Sequence, residues 1–190
     1  FADFNEIKAR FDMPCYCVSG NHDVGNEPTS DSLEFYRRTV GEDYYAFEHK
    51  DHTFVVVNTQ LWKVPLPGET ESQDAWLETA LRNAANEDRP IVVIGHYPLF
   101  LESIDEDDEY MNLPHARRTW LLDLFSECGV VAMLGGHTHR LIVHDHAGIQ
   151  FVHGETTSRN FDDRPLGFRL WPVGEAKPYL HDFVPLAERA

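Results

Sequence analysis

Short apolar runs recur along this chain, and each ends in a polar group. Residues 14–18 (Pro-Cys-Tyr-Cys-Val) lead into Ser19-Gly20-Asn21-His22-Asp23, and residues 54–57 lead into Asn58. Residues 91–94 lead into Gly95-His96, and residues 130–134 into Gly135-Gly136-His137-Thr138-His139. Such runs, bounded by Gly or Pro, predict β-strands buried on both faces. Between them the period lengthens. Residues 72–87 place Trp76, Leu77, Ala80, Leu81 and Ala84 on one helical face, with Thr70 and Gln73 as a possible capping box. Residues 116–128 do the same with Trp120, Leu121, Leu124 and Phe125 before a stop at Gly129. Residues 30–39 predict a further helix and residues 3–11 the end of another.

The last fifty residues change character. Segments 141–146, 149–153, 167–173 and 179–184 are strand-like runs separated by Gly and Pro, predicted to pair antiparallel in a second sheet. Strands alternating with helices predict an α/β fold of two packed mixed sheets flanked by helices. No repeat or linker interrupts the chain, so residues 1–190 are expected to form one domain. Polar residues just past strand C-termini line the ligand crevice of such sheets. Asn21, His96, His137 and His139 hold such positions although they are far apart in sequence. The long irregular stretch 99–114 is expected to form a lid or rim; its acidic run 105–109 reads either as a plain solvated loop or as a surface that favours phosphorylated segments with basic flanks.

Charge narrows the partners. With 16 Lys and Arg against 32 Asp and Glu the formal net charge is −16, which argues against nucleic acid or an anionic membrane as the main partner. A small phosphorylated substrate stays compatible, because bound cations reverse the local field. Three cysteines, Cys15, Cys17 and Cys128, do not make a disulfide framework and are read as reduced core residues of a cytoplasmic protein.

The side chains at the strand ends suit metal-assisted hydrolysis. Asn21 offers an amide oxygen, and His96, His137 and His139 offer imidazole nitrogens. A His-x-His at a strand end can aim both rings one way, with Gly136 letting the backbone turn closely. His22 stands beside a candidate ligand, and free imidazole titrates near neutrality, as a leaving-group acid should. Each also has a plain structural reading. Gly-Asn is ordinary turn chemistry, and a lone histidine at a strand end is more often core than ligand. Asp23 is expected to fix its loop. His144 and His146 are read as edge-strand residues, and His153 and Asn58 as neighbours of the site.

Gly20-Asn21-His22-Asp23, Gly95-His96 and Gly136-His137-Thr138-His139 resemble, in order, the second half of the calcineurin-like metallophosphoesterase signature. Asn58-Thr59-Gln60 and the segment Pro98 to Asp108 resemble a branch of that family described as serine/threonine protein phosphatases. The resemblance implies that Asn21, His96 and His137 bind one divalent metal and His139 a second, with Mn, Fe, Zn or Mg possible. It implies that His22 protonates the leaving group and that a metal-activated hydroxide attacks, with no covalent phosphoenzyme. The family's Asp-x-His and Gly-Asp-x-x-Asp motifs do not occur before Gly20, so the chain is expected to be a partial domain of doubtful activity. The expected substrate is a phosphorylated protein or small phosphoester. Phosphodiester hydrolysis on the same site, or a non-catalytic binding scaffold, are the rival readings.

Overall fold

The computed structural model describes residues 1–173 and 179–187. Its main sheet has six strands in the order β1-β2-β3-β4-β6-β5, and a second sheet pairs β7 (Gly167–Leu170) antiparallel with β8 (Asp182–Pro185). β2 (His52–Val56), β3 (Ile91–Ile94), β4 (Val130–Gly135) and β6 (Ile149–His153) run parallel at the centre. β3 and β4 are apolar almost throughout, as burial on both faces requires, while β2 and β6 also bury polar residues, His52 and Thr53 in one and Gln150 and His153 in the other. β1 (Tyr45–His49) and β5 (Ile142–His146) close the edges antiparallel to their neighbours.

Parallel neighbours need crossovers, and two helices supply them. α5 (Glu69–Asn86) links β2 to β3, and α6 (His115–Cys128) links β3 to β4. Leu77, Leu81, Leu121 and Phe125, all fully buried, pack with Val55, Val93, Met133 and Phe151 of the sheet. A fully buried Leu or Phe contributes roughly 1.5–3 kcal/mol, so this face carries much of the stability. On the other face Phe54, Val92 and Ala132 meet Tyr179 and, at the margin, Trp171. Shorter helices α1 (Ala2–Lys8), α2 (Asn21–Val24), α3 (Ser30–Thr39) and α4 (Gln60–Lys63) flank the sheet.

Several expectations need correcting. Residues 14–18 form no strand. They lie against β1 through side chains: Tyr16 stacks on Phe47 at 3.5 Å, and the Tyr45 hydroxyl donates to the Cys17 carbonyl. Cys15 is accordingly exposed and Cys17 half-buried, and only Cys128 lies in the core. Segments 141–146 and 149–153 belong to the main sheet and not the second, because β6 pairs parallel with β4. Thr70 and Gln73 cap nothing. α5 starts earlier, at Gly68, whose φ of +87° a side chain would resist. Thr70 sits in the first turn and bonds Leu61, while Gln73 holds the backbone N–H and C=O of Asn58 at 2.8 and 3.1 Å. β1 had no counterpart in the reading of the sequence.

Candidate metal centre

Because β2, β3 and β4 run the same way, the residues after them emerge at one edge of the sheet. β2 ends before Asn58 and Thr59, β3 two residues before His96, and β4 two residues before His137. The Thr59 hydroxyl accepts the backbone N–H groups of His96 and Tyr97 at 3.2 and 2.9 Å, tying the two strand ends together. Asn21 opens α2 against this edge. Gly20 before it carries no Cβ, which would otherwise stand 2.9 Å from the His96 ring. The Asp23 carboxylate accepts the Gly20 N–H at 2.8 Å, so Asp23 fixes the loop.

Three predicted ligands meet directly. Asn21 Oδ1 lies 2.9 Å from His96 Nε2, and His137 Nδ1 lies 3.1 Å from that nitrogen. Burial, then the nearby His22 and His139, push the His96 pKa down to about 4. Burial, then His96, push His137 down to about 3, the Tyr110 carbonyl opposing in part. Both rings are therefore neutral near pH 7. Three acceptor-type atoms in such proximity can share a proton only in part. A divalent cation satisfies all three lone pairs at once, and ligands about 2 Å from an ion stand roughly 3–3.5 Å apart. The donor set therefore fits one such ion. His137 Nε2 is buried and has no hydrogen-bond partner among the described residues.

His139 lines the same cavity of about 450 Å³ but has no direct contact with the trio. Its Nδ1 meets the Arg159 carbonyl at 2.5 Å, and its ring stacks on Phe161. A carbonyl only accepts, so Nδ1 carries the proton and Nε2 keeps its lone pair, the tautomer that metal-binding histidines commonly hold. His137 and His139 both have left-handed backbone, at φ +67° and +55°. His22 is exposed, close enough to His96 to act on its charge. Among the described residues no group of three His, Cys, Asp or Glu side chains is arranged to hold a metal, since the trio is two histidines and an amide.

The far wall of the cavity carries an ion cluster. The buried Glu155 carboxylate accepts from Arg169 Nε and Nη2 and from Arg164 Nε, while Arg169 Nη1 meets His181 Nδ1 at 2.7 Å. That guanidinium is committed and forms a fixed wall. Asn58 serves the scaffold, its amide donating to the buried Asp43 at 2.9 Å. His144 bonds the Leu101 carbonyl, and His146 packs on Phe100, as edge residues do. His153 is buried below Gly135, with neither ring nitrogen paired among the described residues. Thr59, Asn26 and Tyr110 also touch this site, through hydrogen bonds to His96, Tyr97 and Asn21, and the sequence signalled none of these contacts. No helix of the described residues is long and apolar enough to cross a membrane.

Amide and imidazole donors thus gather at one edge of an α/β sheet, beside an open cleft. Residues 1–141 match the family model for calcineurin-like phosphoesterases, and the chain belongs to that family. It is 36% identical over 180 residues to human serine/threonine-protein phosphatase CPPED1, covering 93% of this chain and 57% of that protein. The bovine CPPED1 is 44% identical over 132 residues, covering 68% and 42%. The chain thus spans about half the length of the curated relatives it matches. Among solved structures, GAP50 of Plasmodium, the anchor in the inner membrane complex, superposes with a TM-score of 0.55 at 17% identity, over 77% of this chain and 50% of that one. That likeness speaks to the fold alone.

Proposed function

We propose that this protein is a metal-dependent phosphatase acting on phosphate monoesters, with phosphoserine and phosphothreonine in proteins as its substrates. The observation that carries the reading is the meeting of Asn21 Oδ1, His96 Nε2 and His137 Nδ1 within 2.9–3.1 Å contacts at the strand ends. These three would hold one divalent ion, and His139, through Nε2, a second; Mn, Fe, Zn and Mg all suit such donors. Divalent ions in such a site polarise phosphoryl oxygens and make water a nucleophile at neutral pH.

The chain's own residues do the rest. Burial keeps His96 and His137 neutral, so their lone pairs are free for binding at physiological pH. Exposed at the cleft beside His96, His22 carries the proton that the departing alkoxide takes up. Arg169, clamped by Glu155, closes the far side of the cavity without competing for those lone pairs. Kinship to named serine/threonine phosphatases supports the protein substrate.

The test is hydrolysis of a mono-aryl and a bis-aryl phosphate by metal-stripped protein, before and after Mn²⁺ is restored. Metal-dependent turnover favouring the monoester is expected. His22→Ala should lower kcat about 10²–10⁴-fold while leaving metal uptake intact. Preference for the diester would move the reading to a phosphodiesterase. Metal uptake without any turnover would leave a binding scaffold.

A further inference from the structure

The acidic stretch after His96 is mostly exposed, yet two of its carboxylates, Glu106 and Asp108, brace the loop from within. The Glu106 carboxylate accepts the backbone N–H groups of Leu101, Glu102 and Ser103 at 2.7, 2.8 and 3.1 Å, and the Asn112 amide at 2.6 Å. Arg118 of α6, fully buried, donates to the Ile104 and Glu106 carbonyls and to Asp108 at 2.7–2.8 Å. Asp108 also takes the His115 N–H at 2.7 Å. Lys63 of α4 donates to the carbonyls of Glu109 and Asn112. Two of the five acids at 105–109, Glu106 and Asp108, thus hold the loop together, although Asp108 stays exposed beside Asp105, Asp107 and Glu109.

What this frame presents to the site is Tyr110. Its hydroxyl accepts from Asn21 Nδ2 at 3.1 Å and donates to Asn26 Oδ1 at 3.2 Å. Asn26 Oδ1 accepts the other Asn21 N–H at 2.9 Å. Both amide protons of Asn21 are therefore engaged, and its Oδ1 has to face His96. A flipped amide would set Asn21 Oδ1 against Asn26 Oδ1 and turn an NH₂ toward the histidines. The Tyr110 ring also packs 5.2 Å from that of His137. One loop residue touches two of the three donors.

We propose that Tyr110 is a positioning residue for the Asn21–His96–His137 trio, and that the 99–114 loop is built to hold it there. The proposal rests on the reading of that trio as metal ligands. It differs from a substrate-selecting loop in what its loss would change: the strength and geometry of metal binding, before any substrate arrives.

Co²⁺ binding tests it, read by titration and by the visible d–d spectrum. Tyr110→Phe keeps the ring and removes the hydroxyl. It should weaken Co²⁺ about 10–100-fold and alter the spectrum, the usual effect of losing a partner that orients a ligand, with the metal-free Tm unchanged. Glu106→Gln, remote from the trio, should weaken Co²⁺ in the same sense in the wild-type background and add little in Tyr110→Phe. Asp105→Asn with Asp107→Asn should leave Co²⁺ affinity as it was. Wild-type affinity and spectrum in Tyr110→Phe, with Asn21→Ala impaired, would overturn this proposal and leave the ligand reading standing. Equal further loss from Glu106→Gln in the Tyr110→Phe background would overturn the role given to the loop. A wild-type protein that binds no Co²⁺ would bring down both readings together.

Discussion

His153 makes the stability of this protein depend on pH in a way that can be worked out. Its ring is 1% exposed at the end of β6, and neither nitrogen has a partner among the described residues. Burial, then the proximity of His144, His96 and His137, push its pKa from 6.5 down to about 3. The folded state thus keeps the ring neutral while the unfolded chain protonates it normally. Stability from this difference is fully present above about pH 6.5 and is lost as the pH falls toward 3. At pH 5 the unfolded state gains RT ln(1 + 10^1.5), about 2 kcal/mol, against about 0.2 kcal/mol at pH 7. His153→Met removes the titrating group and fills the site with a side chain that adapts to irregular space. It also removes two unpaired buried nitrogens, so the variant should be at least as stable as wild type at pH 7. Guanidinium unfolding of metal-free protein, followed by tryptophan fluorescence, should show the gap between variant and wild type widening by about 2 kcal/mol from pH 7 to pH 5. Parallel pH profiles for the two proteins would refute the reasoning, because they would mean that the ring is protonated, or solvated, equally in both states.

Two substitutions test the scaffold around the site. Gln73→Leu strips the Asn58 backbone N–H and C=O of their partners in a fully buried place, and should cost about 1–3 kcal/mol in denaturant unfolding. Gly95→Ala would set a Cβ 2.5 Å from Thr59 Cγ2, beside the hydroxyl that anchors the His96 backbone. It should destabilise by about 1–3 kcal/mol, measured by Tm, and should weaken Co²⁺ binding as well.

β3, β4 and the 54–57 run of β2 were legible because a strand buried on both faces has to be apolar almost throughout, whereas β6, which buries Gln150 and His153, gave no such sign and was assigned to the second sheet. The edge strand β1 was not legible: only alternate residues of Tyr45–His49 are shielded, and its turn at Lys50 and Asp51 uses left-handed backbone without a glycine to signal it. Residues 14–18 misled for the opposite reason, an apolar run that stays largely exposed and rests on β1 through Tyr16 stacking on Phe47 and not through a ladder. The approach of His96 and His137 could be anticipated because parallel strands deliver their C-terminal residues to one edge, whereas Asn21 reaches that edge at the start of α2, with no strand before it. The supporting partners could not be anticipated. Whether Tyr110 reaches Asn21 depends on how Glu106, Asn112 and Arg118 fold a loop, and nothing in the spacing of residues 99–114 encodes that path. Nor did the charge of the acidic run reveal that Glu106 and Asp108 brace the loop through hydrogen bonds to its backbone and to Arg118.

The left-handed backbone at His137 and His139 sets stability against purpose within three residues. A side chain there costs roughly 1–2 kcal/mol relative to the right-handed region, and glycine would relieve it at both positions. Selection for a durable fold alone would therefore favour Gly-Gly-Gly-Thr-Gly at the end of β4. Histidine at both places marks the turn as one where the chain tolerates a standing load, and in the search for stabilising variants it is a place to leave alone.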